Sequence, residues 1–144
     1  MAMISKELTD HLRVHFRLDW TGYHGAPHWA RVRANGLWLA ERTGADTRVV
    51  ELFAFLHDSC RWNDDHDPEH GPRAAALAAT LRGRFFELDD AAFGLLGEAC
   101  RGHSDGHLTG DITVLTCWDA DRLDLGRVGI RPDPRYLCTE EARD

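Results

Sequence analysis

The feature that most constrains this chain is the end of its most apolar segment. The run "VVELFAFL" (49–56) passes without a break into "HDSCRWNDDHDPEH" (57–70), which holds three histidines and five acidic residues. Here and elsewhere apolar residues recur at spacings of three and four, not in strict alternation, and this is the period of a helix with one buried face. The pattern predicts an all-α fold of five or six helices in a single domain spanning residues 1–144, with essentially no sheet.

Start and stop signals divide the chain. A first helix follows Ser5 and runs toward Phe16, and "TGYHGAP" breaks it. Pro27 suits the opening of a second helix, which Gly44 ends. Asp46 can cap a third, carrying Val49, Leu52, Phe53 and Leu56 on one face and reaching His57 and Asp58. "PRAAALAATLRG" predicts a fourth helix with Leu77, Ala78 and Leu81 inward and Gly83 as its stop. Asp89 or Asp90 caps a fifth, whose stripe of Ala92, Leu95, Leu96 and Ala99 ends at His103, and Asp111 opens a sixth. The proline-containing tail is expected to fold back as a short turn or helix.

Composition excludes several classes. With 43% hydrophobic residues over 144 positions, the chain can bury a core of its own. A formal charge of −7 gives no basic footprint for bulk nucleic acid. No stretch approaches the roughly 20 apolar residues of a membrane span, and the charged N-terminus does not read as a secretory signal. The four cysteines (60, 100, 117 and 138) form no CxxC pair, which argues for reduced thiols and against a zinc ribbon. The expectation is a soluble cytoplasmic protein. Nine histidines in this length make histidine placement the question to pursue.

Helical spacing puts several polar groups where core residues belong. Val50 and Phe53 share a face with His57, and Ala54 shares one with Asp58. Val114, Trp118, Asp121 and Leu125 fall on one stripe, so Asp121 needs a cation or a cluster of donors once buried. His28 lies on a stripe with Val32 and Leu39. Two histidines and two carboxylates suit a divalent ion such as Mn, Fe, Co, Ni, Zn or Mg with positions left for water. The spacing alone is equally compatible with a buried His–Asp hydrogen-bond network.

The order of His28 in "HWARV", His57-Asp58 in "FLHDS" and Asp121 in "DADRLD" resembles the HD superfamily of metal-dependent phosphohydrolases, over about residues 23–128. The resemblance implies an HD-like helical bundle in which His28, His57, Asp58 and Asp121 ligate the metal. It favours Asp121 over Asp119, because the family's last aspartate directly precedes "RL". Some members bind a second metal through added histidines, a place His70 and His103 could fill here; either could instead contact substrate or be an ordinary loop or helix-end histidine. Nucleotidase-like relatives carry an acid three residues past the HD pair, where this chain has Arg61.

The implied activity is hydrolysis of a nucleotide or other small phosphate ester by metal-activated water. Asp58 would sit at the reacting centre, Asp64, Asp65 or Asp67 would move the proton, and Arg31 or Arg61 would hold the phosphate, unless those arginines merely pair with carboxylates. Arg122 is expected to order an acid cluster of Asp119 and Asp124. Asp105 and His107 could reach the opening, and Trp62 could stack on a base. Two alternatives are a di-iron oxygenase of the same fold, which needs His70 and His103 as ligands, and a non-catalytic, metal-stabilised ligand-binding domain, for which Arg61 is the suggestive feature.

Overall fold

A computed structural model describes residues 3–144. Among these residues seven α-helices follow one another: α1 (Lys6–His15), α2 (Ala26–Thr43), α3 (Thr47–Leu56), α4 (His70–Leu81), α5 (Asp90–Gly102), α6 (Ile112–Arg122) and the single-turn α7 (Glu140–Arg143). Two 3₁₀ turns, Leu125–Val128 and Pro134–Tyr136, lie between α6 and α7. Among the described residues there is no strand, so the all-α expectation holds.

The helix boundaries follow from their caps. Ser5 Oγ accepts from the Leu8 N–H at 3.1 Å, and Asp46, Asp89 and Asp111 accept in the same way from Arg48, Ala92 and Thr113. Gly44 closes α2 at φ 80°, a left-handed conformation in which a side chain would be strained, and its N–H reaches Ala40 O at 2.9 Å. α4 starts two residues before the expected Pro72, at His70. Proline is tolerated there because the first turn has no intrahelical acceptor for its missing N–H.

α2 packs against α3 and α6, α4 lies on α5, and α5 also meets α3 and α6. α3 is the innermost helix. Val49, Val50, Leu52, Phe53, Ala54 and Leu56 are all fully buried, joined by Trp29, Leu39, Leu81 and Leu96 from its neighbours. Burying such a side chain contributes about 1.5–3 kcal/mol, which makes α3 the element the rest assembles around. No helix among the described residues is long and apolar enough to cross a membrane.

The tail after α6 is held by a residue assigned another role above. Asp119 is fully buried and accepts from the Cys138 N–H (2.7 Å), the Thr139 N–H (2.9 Å) and the Thr139 hydroxyl (2.8 Å). Arg122 donates to Tyr136 O at 3.0 Å and to Cys138 Sγ, and Asp124 turns toward α2. The expected Arg122–Asp119–Asp124 cluster therefore does not form. One helical turn sends Asp119 and Arg122 to the tail and leaves Asp121 on the opposite business of the helix end.

Candidate metal centre

The polar residues singled out by spacing meet where helices end. His28 lies in the first turn of α2, His70 opens α4, Asp121 is in the last turn of α6, and His57 and His103 are the C-cap residues of α3 and α5. The His57-Asp58 pair is thus not inside its helix: α3 stops at Leu56, His57 keeps helical angles (φ −57°, ψ −37°), and Asp58 follows in the turn. Three helix C-termini (α3, α5, α6) and two N-termini (α2, α4) meet at the cluster, so helix dipoles of both signs act on it.

Two donor sets share one carboxylate. In the first, His28 Nε2 lies 3.0 Å from His57 Nε2, 3.3 Å from Asp58 Oδ2 and 3.1 Å from Asp121 Oδ1, and His57 Nε2 lies 3.5 and 3.2 Å from the same two oxygens. In the second, Asp58 Oδ1 lies 3.1 Å from His70 Nε2 and 3.3 Å from His103 Nε2, which are 2.7 Å apart. Asp58 spans both sets, one oxygen to each. All four imidazoles are buried, at 0–5% exposure, and Asp58 is at 2%.

The other ring nitrogens fix the tautomers. His57 Nδ1 faces Phe53 O (3.0 Å) and Ala54 O (3.1 Å), His103 Nδ1 faces Cys100 O (2.8 Å), and His70 Nδ1 faces Asp67 O. Carbonyls only accept, so each Nδ1 carries the proton. His28 Nδ1 donates likewise to the Asp124 carboxylate at 2.7 Å. At the C-termini of α3 and α5 these contacts satisfy carbonyls that the helix leaves unpaired. The consequence is four Nε2 lone pairs aimed at one another beside two carboxylates, an arrangement that repels itself unless a cation or added protons lie between.

The donor set fits a divalent metal. Bonds of about 2.0–2.2 Å place neighbouring donors roughly 2.9–3.5 Å apart at angles between 90° and tetrahedral. The five distances from the two imidazoles of the first set lie within that range, and the second set needs only its two imidazoles to open slightly. A carboxylate or carbonyl behind each imidazole is the outer partner that metal-binding histidines require. Metal-binding capacity of the buried His/Asp cluster is therefore a property of the geometry, while the identity of the ion is not.

The approach of α4 to α5 that joins His70 to His103 depends on Gly71. A Cβ at that position would overlap the Cys100 carbonyl oxygen, the same atom that accepts from His103. Gly71→Ala is expected to destabilise the fold by about 1–3 kcal/mol through overpacking. It should weaken metal binding by Asp58, His70 and His103 about tenfold or more and spare binding by His28, His57, Asp58 and Asp121; equal loss at both donor sets in a metal titration would refute this assignment.

Electrostatics show what a cation replaces. Burial raises the pKa of Asp58, but the imidazoles of His57, His103, His28 and His70 outweigh it and hold the carboxyl well below the ordinary range. Asp121 is held down in the same sense, burial being overcome by His57 and His28. For His28, burial disfavours the imidazolium, yet Asp121, Asp124 and Asp58 prevail and hold its pKa up to about 10 against an ordinary 6.5. In chelator-treated protein that proton supports folding fully below pH 6.5, and the support fades as pH rises toward about 10. An ion must displace it from Nε2. Apparent metal affinity should therefore rise with pH, by about tenfold per unit per displaced proton. Calorimetric titration in buffers of different ionisation enthalpy measures the proton release directly.

The loop carboxylates divide. Asp67 is committed to Arg73 (2.6 and 2.7 Å) and to the Trp62 N–H. Asp64 pairs with His24 Nδ1 at 2.7 Å. Asp65 is exposed and lines a cleft of about 280 Å³ with Arg61, His70, Ser104 and Asp105. Arg61 Nε reaches Asp58 Oδ1 at 3.3 Å, whereas Arg31 is held by Asp124 at 2.7 Å, outside the donor sets. His107 packs near Trp118 rather than at this cleft. Trp62 already carries the Arg73 guanidinium 3.8 Å from its ring centroid. Sequence reasoning missed Asp124 as the partner of His28; its place three residues after Asp121 was the available signal. The His24–Asp64 pair, 40 positions apart, left none. No family model, curated protein or solved structure matches the chain.

Proposed function

We propose that the protein is a metal-dependent phosphohydrolase acting on a small phosphate ester, with nucleotides among the substrates to test first. The observation that carries this reading is Asp58, whose two oxygens serve two adjacent donor sets beside an open cleft. His28, His57, Asp58 and Asp121 would hold one divalent ion, and Asp58, His70 and His103 a second. Bound there, such ions lower the pKa of water and neutralise charge that builds on phosphoryl oxygens. The chain supplies the rest. Arg61 lines the cleft with its Nε already on Asp58, and its guanidinium holds the phosphate. Asp65 has no hydrogen-bond or ion-pair partner for its carboxylate among the described residues, so it takes the proton where Asp64 and Asp67 are occupied. The hydrophobic bed under the site, with Phe53 stacked on His57 at 4.7 Å, keeps the ligands from rotating.

The test is release of phosphate from a panel of nucleotides and sugar phosphates by protein reconstituted with Mn, Co or Mg. Turnover is expected to fall about tenfold or more in Asp65→Asn, as for other positioned acid–base groups. Absence of release above an Asp58→Ala control across the panel sinks the reading. The same four imidazoles favour a second reading, a di-iron oxygenase. Iron-loaded protein that consumes dioxygen with an organic substrate, and releases no phosphate with any metal, would select it.

A further inference from the structure

A cavity of about 430 Å³ lies between α1, residues 59–62 and α4, and none of the candidate metal ligands lines it. Its wall joins apolar surface from Leu12 and Leu77 to three guanidinium groups, Arg17, Arg61 and Arg73, and no carboxylate lines it. Arg61 and Arg73 are paired with Asp58 (3.3 Å) and Asp67 (2.6 Å), which leaves Arg17 as the cation on this wall with no carboxylate partner among the described residues. Trp62 organises two of the three, with Arg17 at 5.1 Å and Arg73 at 3.8 Å from its ring centroid.

The donor inventory shows what is left to bind. Arg73 spends Nε on Cys60 O (3.0 Å) and Nη2 on Asp67. Arg61 spends Nε on Asp58 and Nη1 on Asn63 O and Asp65 O. Arg17 has no hydrogen-bond or ion-pair partner among the described residues. Every guanidinium therefore keeps N–H groups without a partner among the described residues. Their planar forks match a phosphate or carboxylate, and the volume is that of a small-molecule pocket.

We propose that this cavity is a second ligand site, taking a small organic anion whose phosphate or carboxylate head lies on Arg17, Arg61 and Arg73 and whose apolar body lies on Leu12 and Leu77. Arg61 also contacts Asp58, so an occupant of the cavity shares a residue with the metal centre. The proposal does not rest on the hydrolytic reading.

Metal-loaded full-length protein is titrated with phenylphosphonate and benzoate, neither of which presents a hydrolysable ester, and with neutral benzyl alcohol. The indole N–H resonance of Trp62, identified by its loss in Trp62→Phe, reports binding by nuclear magnetic resonance. At least one anion should shift it saturably, with benzyl alcohol and Arg17→Gln each at least tenfold weaker. Arg17 is exposed, so its replacement leaves the fold intact. Equal binding of benzyl alcohol, undiminished binding by Arg17→Gln, or no response to either anion up to millimolar concentration overturns the proposal. Arg17-dependent binding in a protein without phosphate-ester turnover would keep this site and discard the hydrolase.

Discussion

Asp58→Ala should leave the protein unable to hold a metal in either donor set: on the proposed two-metal reading, elemental analysis is expected to fall from two equivalents per chain to near none. The reason is the sharing. Its Oδ2 completes the set of His28, His57 and Asp121, and its Oδ1 is, among the described residues, the sole carboxylate oxygen facing His70 and His103. His103→Ala, by contrast, should cost the second ion alone and leave one equivalent. On the hydrolytic reading, losing both ions removes roughly 4 kcal/mol or more of charge stabilisation, a rate loss of about a thousandfold. The substitution also removes one of the three carboxylates that favour the His28 imidazolium, so the chelator-treated protein should lose stability as well. An Asp58→Ala protein that keeps one full equivalent of metal would show that the two donor sets are independent, contrary to this arrangement.

The second large effect lies away from the centre, at Asp119. Alanine there leaves two backbone N–H groups and the Thr139 hydroxyl buried without an acceptor. Each orphaned donor costs about 1–3 kcal/mol, so a total destabilisation of about 3–5 kcal/mol is expected, with solvent recovering part of the loss. For a chain of this length that lowers the melting temperature by roughly 6–20 °C. The same change frees residues 137–143 from α6, and limited proteolysis should cut there first. Asp119→Asn keeps one acceptor oxygen and should fall between. If Asp119→Ala melts within a degree of the parent, the tail is not held in this way.

Particular residues show how far the sequence could be read. Most helix ends were legible because they are announced locally: Ser5, Asp46, Asp89 and Asp111 are caps that bond within three residues, and Gly44 ends α2 for a reason of backbone sterics alone, whereas α4 has no side-chain cap and starts earlier than expected. The first donor set was legible because His28 and Asp121 occupy positions on apolar stripes where an unpaired polar group is costly. Asp119 misled because it lies on the same helix and close to the same arginine. Its real partners, at positions 138 and 139, sit in a tail with no periodicity to read.

Local chemistry along the chain thus determined the helical class, the helix ends and the identity of the buried imidazoles and carboxylates, since period, capping and burial cost act over a few residues. Only the tertiary structure decided that Asp58 faces two donor sets at once and that α4 passes α5 closely enough at Gly71 to bring His70 to His103. It likewise decided that Asp124 stands behind His28 and Asp64 beside His24. The His70–His103, His24–Asp64 and His28–Asp124 pairings span 33, 40 and 96 positions and are set by how helices pack.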